Sequence, residues 1–430
     1  MKWSIYNECI ENEEDNETFY LYNCFRGIFF TLDHRLHELI SIARTHPERV
    51  RDVHPDLYKS LLDNRFIIED EHDETEECVV AMEKRFCQDN RHLHVTINPT
   101  LDCNLRCWYC YEEHHRGSQM KKEIMDGVIK YLKNMLNSTA DVKSLVLSFF
   151  GGEPLLKFNQ VVMPLISESK GLCNEYGKDF HVHFTTNGVF ISKKVLDDLS
   201  STKSDVTFQI ALDGSRDYHD GIKMLPNGRG SYDKIKTNIM NSLDRGMEVN
   251  VRCNYTTKNI HSFACVLDDF KDYWNNDRLR FSFHKVWQEP NTDEIETEIK
   301  KLKMKVRENG IRSNLATNFG EKVSNCYADY TDNLLFNHDG LVFRCTAREF
   351  TESNSIGRLD ENGIVTYKDG VPMHFSERIT GDCAKCRLLP ICMVCLQRRK
   401  ESKDGTCPDP SYIENAGQTI KRYFIDKIKH

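Results

Sequence analysis

The chain contains no apolar run approaching the ~20 residues that a membrane-spanning helix requires, so no membrane partner is expected. It carries no excess of basic charge: 58 Lys and Arg stand against 66 Asp and Glu, a formal net charge of −8. That balance disfavours nucleic-acid binding, which depends on Lys and Arg to neutralise phosphates. There is no long internal repeat. The N-terminus, Met1-Lys2-Trp3-Ser4, turns acidic within a few residues and lacks the basic-then-apolar pattern of a secretory signal. The expectation is therefore a cytoplasmic protein in a reducing compartment. What the chain does have is cysteine, 17 in 430 residues. In a reducing compartment these are metal ligands or reactive thiols rather than a disulfide framework.

Ten of the cysteines fall into two groups. Cys103, Cys107 and Cys110 stand at C-x₃-C-x₂-C spacing, with the aromatic Tyr109 just before the last. A four-iron cluster is normally held by four thiolates, so three leave one iron open to a further ligand. A zinc site or three buried thiols are the alternatives for this triplet alone. The second group is C-terminal. Cys326 is followed by thirteen residues, Gly340, four residues and Cys345, then by Cys383-x₂-Cys386-x₅-Cys392-x₂-Cys395 and by Cys407. Its two C-x₂-C pairs also resemble a zinc ribbon, a reading that leaves Cys326 and Cys345 without a role.

Between the groups the pattern is βα repeated. Strands are expected at 94–97, 145–150, 181–184, 206–210, 249–252 and 280–283, with helices between them, as at 124–136 and 232–243. Such alternation builds a parallel sheet with helices outside, and chemistry belongs at the C-terminal strand ends. The triplet follows the first strand. Gly151-Gly152-Glu153-Pro154 follows the second, its glycines suited to close approach to a ligand and its carboxylate to a cationic amine. Thr186-Asn187-Gly188 ends the third strand and Ala211-Leu212-Asp213-Gly214 the fourth, with His219-Asp220 beyond. Gly228-Arg229-Gly230-Ser231-Tyr232 opens the next helix.

As an ordered set these segments resemble the radical S-adenosylmethionine (SAM) enzymes. The resemblance implies an α/β fold, a partial (β/α)₆ radical SAM barrel. It also implies a [4Fe-4S] cluster on Cys103, Cys107 and Cys110, whose open iron binds SAM and yields a 5′-deoxyadenosyl radical on reduction. Tyr109, Gly151, Gly152, Glu153, Pro154, Asn187, Asp213 and Lys223 become the SAM-binding set, and no catalytic acid or base stands out. Two positions depart from the family: Ala211 replaces a usual Ser, and Lys223 replaces a frequent Arg that would offer a bidentate fork. Gln209 and Arg252 are candidates to compensate.

The C-terminal cysteines resemble the SPASM domain, which holds two auxiliary [4Fe-4S] clusters. Position by position, Cys326, Cys345 and Cys395 serve one cluster, and Cys383, Cys386, Cys392 and Cys407 the other. The gap between Cys392 and Cys395 is one residue shorter than usual. The stretch before Cys326 lacks the eighth cysteine of some relatives, and position 320 is Gly, which leaves the first auxiliary cluster with an open iron to bind a substrate thiolate. The other seven cysteines (9, 24, 78, 87, 173, 253 and 265) read mostly as small buried hydrophobes, with Cys253 facing the barrel interior.

Residues 1–75 are similar to the winged-helix leader-recognition domain of peptide-modifying enzymes, the bland alternative being a structural extension. The acidic run 69–77 reads as a linker. The barrel spans 90–290, a bridging helix 291–325, the SPASM domain 326–410 and a C-terminal helix 411–430. The resemblance implies a peptide maturase that forms a thioether or carbon–carbon crosslink in a leader-bearing ribosomal precursor peptide. Flavodoxin or ferredoxin would donate electrons. An anaerobic sulfatase maturase, making formylglycine, is the alternative, and a non-catalytic iron–sulfur or zinc protein a remote one.

Overall fold

A computed structural model describes the chain apart from residues 13–14, 16, 88–90, 139–140, 317–325, 380, 403–405 and 429–430. The chain forms two compact units, neither continuous in sequence. One gathers Met1–Asp89, Asn318–Thr331 and Pro372–His430, the other Asn90–Thr317 and Asp332–Val371.

The first unit opens with β1 (Lys2–Trp3), β2 (Asn7–Glu11), β3 (Phe19–Asn23) and β4 (Ile28–Leu32). Then come α1 (His34–Ala43), α2 (Pro47–Val53), α3 (Pro55–Asp63), β5 (Ile67–Ile68) and α4 (Glu74–Cys87). Strands β2, β3 and β4 form an antiparallel sheet, and β5 returns to pair with β1. Alternation along β3 sends Phe19 and Leu21 into a core with Ile40, Val50 and Leu61 of the three helices. Tyr22, on the other face, joins a second core with Leu388, Ile391, Ile420 and Phe424. Those come from the chain's far end, which supplies α12 (Leu396–Lys400), α13 (Pro410–Glu414) and α14 (Ala416–Ile428) after the second unit has been made.

The acidic run is not a linker. Glu74, Glu76 and Glu77 occupy the first turn of α4 and Lys84 and Arg85 its last, charges that oppose the helix dipole at both ends. Arg26, Arg65 and His72 pair with Glu77 and hold its carboxyl down at about 2, Arg26 contributing most. A boundary at 75 therefore falls inside a helix.

The second unit contains the six expected strands: β6 (His92–Ile97), β7 (Ser144–Phe149), β8 (Asp179–Thr186), β9 (Asp205–Leu212), β10 (Glu248–Tyr255) and β11 (Leu279–Lys285). All are parallel and each neighbours the next in sequence order, as a barrel wall requires. Helices α5 (Lys122–Ser138), α6 (Met163–Tyr176), α7 (Lys193–Ser201), α8 (Arg216–Ile222), α9 (Tyr232–Asp244) and α10 (Phe263–Asp268) connect them, and α11 (Asp293–Glu308) follows. On one strand face every second residue is buried in the core, including Phe149, Phe184 and Phe208, which stand in register with ring centroids 5.2 Å apart. The opposite face is polar. There His94 contacts Ser148 at 2.7 Å, Gln209 donates to Thr185, Asn250 to Gln209, and Ser282 to Asn250.

The sheet also runs past its first strand. β12 (Leu334–Phe336) pairs parallel to β6, and β13 (Leu341–Phe343), β14 (Gly357–Leu359) and β15 (Val365–Tyr367) continue antiparallel, giving ten strands. Residues assigned above to one C-terminal segment, 326–410, are thus divided: Asp332–Val371 extends the large sheet, and the rest packs with the N-terminus.

Candidate active site

The loop after β6 carries Cys103, Cys107 and Cys110 at the C-terminal strand ends. Burial pushes the Cys103 thiol up to about 12 and raises Cys110 as well, so by themselves these two thiols stay protonated at neutral pH. Donors nevertheless aim at the sulfurs. The Leu105 amide donates to Cys103 Sγ at 3.4 Å, Asn187 Nδ2 approaches it at 3.9 Å, and Lys223 Nζ donates to Cys107 Sγ at 3.5 Å. Donors of this kind are matched to thiolates, which positively charged iron would create. The buried Asn104 Nδ2 beside Cys103 is also without a partner. These residues fit an iron–sulfur cluster. Among the described residues no three His, Cys, Asp or Glu side chains converge on a single-ion site.

Gly151 and Gly152 face the thiol loop rather than open space. A Cβ on Gly151, whose φ is +97°, would lie 2.5 Å from Thr100 O, and one on Gly152 would lie 2.3 Å from Asp102 O. The Gly152 and Glu153 amides donate to those same carbonyls, at 3.2 and 2.8 Å. The glycines therefore let one loop brace the other. Glu153 differs from the expectation of a carboxylate offered to an amine. It is fully buried, and its oxygens accept from Leu155 N (3.0 Å), Thr186 Oγ1 (2.8 Å) and Asn187 N (2.8 Å). Burial moves its carboxyl up to about 7 against these hydrogen bonds. It caps the turn begun by Pro154 and ties the end of β8 to the loop after β7. Asn187 extends the tie, donating to Asn104 Oδ1 at 2.8 Å.

Tyr109, Asp213 and Lys223 meet in one buried network. Tyr109 OH donates to Asp213 Oδ2 at 2.6 Å, and Lys223 Nζ donates to Tyr109 OH at 2.7 Å and pairs with Asp213 at 3.0 Å. Burial favours the neutral form of each partner, but the opposed charges outweigh it, lowering Asp213 and raising Lys223. Lys223 is thus a committed cation, shared between Asp213 and the Cys107 sulfur. Asn254, at the end of β10, completes the network by donating to Asp213 Oδ1 at 3.2 Å. Its place at a C-terminal strand end was the available signal in the sequence.

The segments at 219–220 and 228–232 come together to hold Lys223. Asp220 accepts from the Ser231 and Tyr232 amides at 2.7 and 2.9 Å, and Ser231 Oγ donates to the Lys223 carbonyl at 2.6 Å. Of the two candidates to compensate for Ala211, Arg252 is its register partner on the neighbouring strand, whereas Gln209 pairs with Asn250. Arg252 Nε donates to Asn254 Oδ1 at 3.0 Å. Cys253 does not face the interior. It lies on the alternate face with Val249 and Val251, fully buried in the core. Cys24, Cys78 and Cys173 are buried as expected, while Cys9 and Cys265 are exposed. The Cys87 side chain lies outside the described residues.

In the other unit, Cys383, Cys386, Cys392 and Cys407 line one small pocket with Leu389 and Arg399. Cys326 and Cys395 share a hydrogen bond that lowers the Cys395 thiol and raises that of Cys326. Cys345 follows β13, its sulfur accepting from the Ala347 amide at 3.3 Å. The stretch without an eighth cysteine, including Gly320, lies partly outside the described residues.

Residues 97–270 match the radical SAM superfamily. A cysteine-type anaerobic sulfatase-maturating enzyme of Clostridium novyi is 28% identical over 162 residues, 35% of this chain and 40% of that protein. The chain matches less than half the length of this relative. Among solved structures, anSMEcpe with bound AdoMet and the Cp18Cys peptide superposes with a TM-score of 0.57 at 17% identity, over 79% of this chain and all (100%) of that one. Streptococcus suis SuiB bound to precursor peptide SuiA gives 0.52 at 15% identity, over 94% and 97%. These likenesses show the fold.

Proposed function

With residues 97–270 a radical SAM domain, we propose that the chain is a radical SAM peptide maturase that crosslinks a leader-bearing ribosomal precursor. Cys103, Cys107 and Cys110 would hold the radical SAM cluster, and the loops at 151–154 and 187, with Tyr109, Asp213 and Lys223, would border SAM. Cys383, Cys386, Cys392 and Cys407 would hold one auxiliary [4Fe-4S] cluster. SAM on a reduced four-iron cluster supplies a carbon radical able to take hydrogen from an unactivated carbon. Lys223 and Asn187 keep positive dipoles on the sulfurs, and Glu153 fixes the two loops against each other. Asp213 holds Lys223 charged and Tyr109 oriented, while the apolar outer face of the strands keeps water from the wall.

The observation that carries the peptide reading is the N-terminal sheet. Its faces are covered by two cores, but β4 is paired on one side only among the described residues, with Ile28 and Phe29 exposed. An extended leader would add there as a further strand. The likeness to SuiB extends over 94% of the chain and that to anSMEcpe over 79%, and sulfatase maturation stays the alternative reading.

The test is anaerobic reconstitution with SAM and dithionite, reading 5′-deoxyadenosine, then mass spectrometry of two peptides. A leader-bearing precursor peptide that binds the protein should lose two hydrogens as the crosslink forms. Formylglycine in a cysteine-containing sulfatase peptide would decide for the alternative. Deleting residues 1–75 is a poor probe, because Tyr6, Ile10 and Tyr22 share a core with Leu388 and Phe424. Ile28→Lys, at an exposed position of β4 that belongs to neither core, tests the leader surface with less damage.

A further inference from the structure

Arg399, on α12, is 8% exposed and reaches into the four-thiol cavity. Its fork spans two sulfurs: Nη1 donates to Cys383 Sγ at 2.8 Å and Nη2 to Cys392 Sγ at 3.4 Å. Nε donates to the Val394 carbonyl at 3.0 Å, which fixes the plane of the guanidinium. The Val394 amide donates in turn to Cys392 Sγ at 3.4 Å. Among the described residues no carboxylate pairs with Arg399, whereas its neighbour Arg398 faces Asp409. A buried guanidinium needs an anion beside it. Four neutral thiols do not supply one, but four thiolates around a cluster do.

We propose that Arg399 is a positioning residue that raises the reduction potential of the cluster held by Cys383, Cys386, Cys392 and Cys407. The inference rests on the reading that this cavity holds a [4Fe-4S] cluster. Hydrogen bonds to the sulfurs and local charge set the potential of such clusters. The couple takes up one electron from an external donor, and the reduced cluster carries one more negative charge than the oxidised one. A fixed cation with two N–H groups on the ligand sulfurs therefore stabilises the reduced form more. The fork also selects Cys383 and Cys392 among the four, so the effect is directional and a point charge reproduces only part of it.

The experiment uses the full chain in a Cys103/Cys107/Cys110→Ala background, which removes the SAM-binding cluster from the spectra. After anaerobic reconstitution, iron and sulfide are counted and the remaining clusters titrated with dithionite under EPR. Arg399→Met should shift one couple to more negative potential, Arg399→Lys should shift it less, and Lys400→Met, a surface charge on the same helix, should leave it in place. An unchanged potential in a cluster-loaded Arg399→Met protein overturns the proposal. If that variant does not retain its cluster, an unchanged couple in Arg399→Lys does the same. A background protein that binds no iron removes the cluster reading itself, a failure separable from the first because it precedes any titration.

Discussion

The thiol loop after β6 and the four-thiol cavity of the other unit both place a buried cation on sulfur, but they balance it differently. Lys223 is shared between Cys107 and a carboxylate, Asp213, that neutralises it. Arg399 touches Cys383 and Cys392 and has no carboxylate among the described residues. The first arrangement stands by itself before any metal arrives. In the second, the cation is balanced only when the thiols become thiolates. The loop is thus preorganised by the protein alone, whereas in the cavity the proposed cluster would complete the charge balance.

The comparison can be broken most directly at the loop. Replacing Cys103, Cys107 and Cys110 by Ala is expected to abolish 5′-deoxyadenosine formation completely while leaving iron in the C-terminal cavity, as iron counting and chromatography of the products would show. Asp213→Asn tests the self-sufficiency of the loop site. It leaves Lys223 buried without its partner, and urea denaturation of the metal-free protein should show a loss of about 3–5 kcal/mol. The sign with pH follows from the two shifts. Asp213 is lowered and Lys223 raised, so the pair stabilises from about pH 4 to about pH 10, the ordinary values of the two groups. Its contribution fades as acid protonates Asp213 below that window, or as base deprotonates Lys223 above it. A urea series at three pH values resolves this.

Gly152→Ala sharpens the comparison by moving the loop without touching a ligand. The new Cβ would meet Asp102 O at 2.3 Å, and overpacking of this kind costs about 1–3 kcal/mol. Thermal melting should fall accordingly, and iron incorporation at the loop should drop while the C-terminal cavity loads normally. The smallest effect belongs to Glu77→Gln in the other unit, a partly exposed ion pair worth about 1 kcal/mol at neutral pH. Because Glu77 is lowered to about 2, its contribution is full above the ordinary glutamate value and lost as pH falls toward 2. The variant should unfold with a flatter acid limb.

The six parallel strands were legible because most alternate apolar and polar residues, β7 being instead a short apolar run, and the motif loops follow from where those strands end. Strands β12 to β15 were not, since three residues are too few to show a period. Glu153 was visible as a residue but not as a buried one, because its three donors come from two separate loops that only the fold brings together. The acidic run has the charge density of a linker, but its position marks the start of a helix. Glu74 to Glu77 followed by Lys84 and Arg85 is also the signature of a helix. Cys253 faces the core because it keeps the strand phase of Val249 and Val251, a phase readable in the sequence. Arg399 carried no signal in sequence, lying among three consecutive basic residues of which only it reaches the thiols.

The first unit is closed by residues from both ends of the chain, with Tyr6, Ile10 and Tyr22 in one core with Leu388, Ile420 and Phe424. On a ribosome, residues 1–89 emerge first yet lack that core until some three hundred further residues have been synthesised. The barrel strands, all encoded between, are available to fold earlier. The maturation of this protein therefore has a built-in order in time. The four-thiol cavity is lined by residues as late as Cys407 and Ile413, so it too is complete only after the barrel strands have been made.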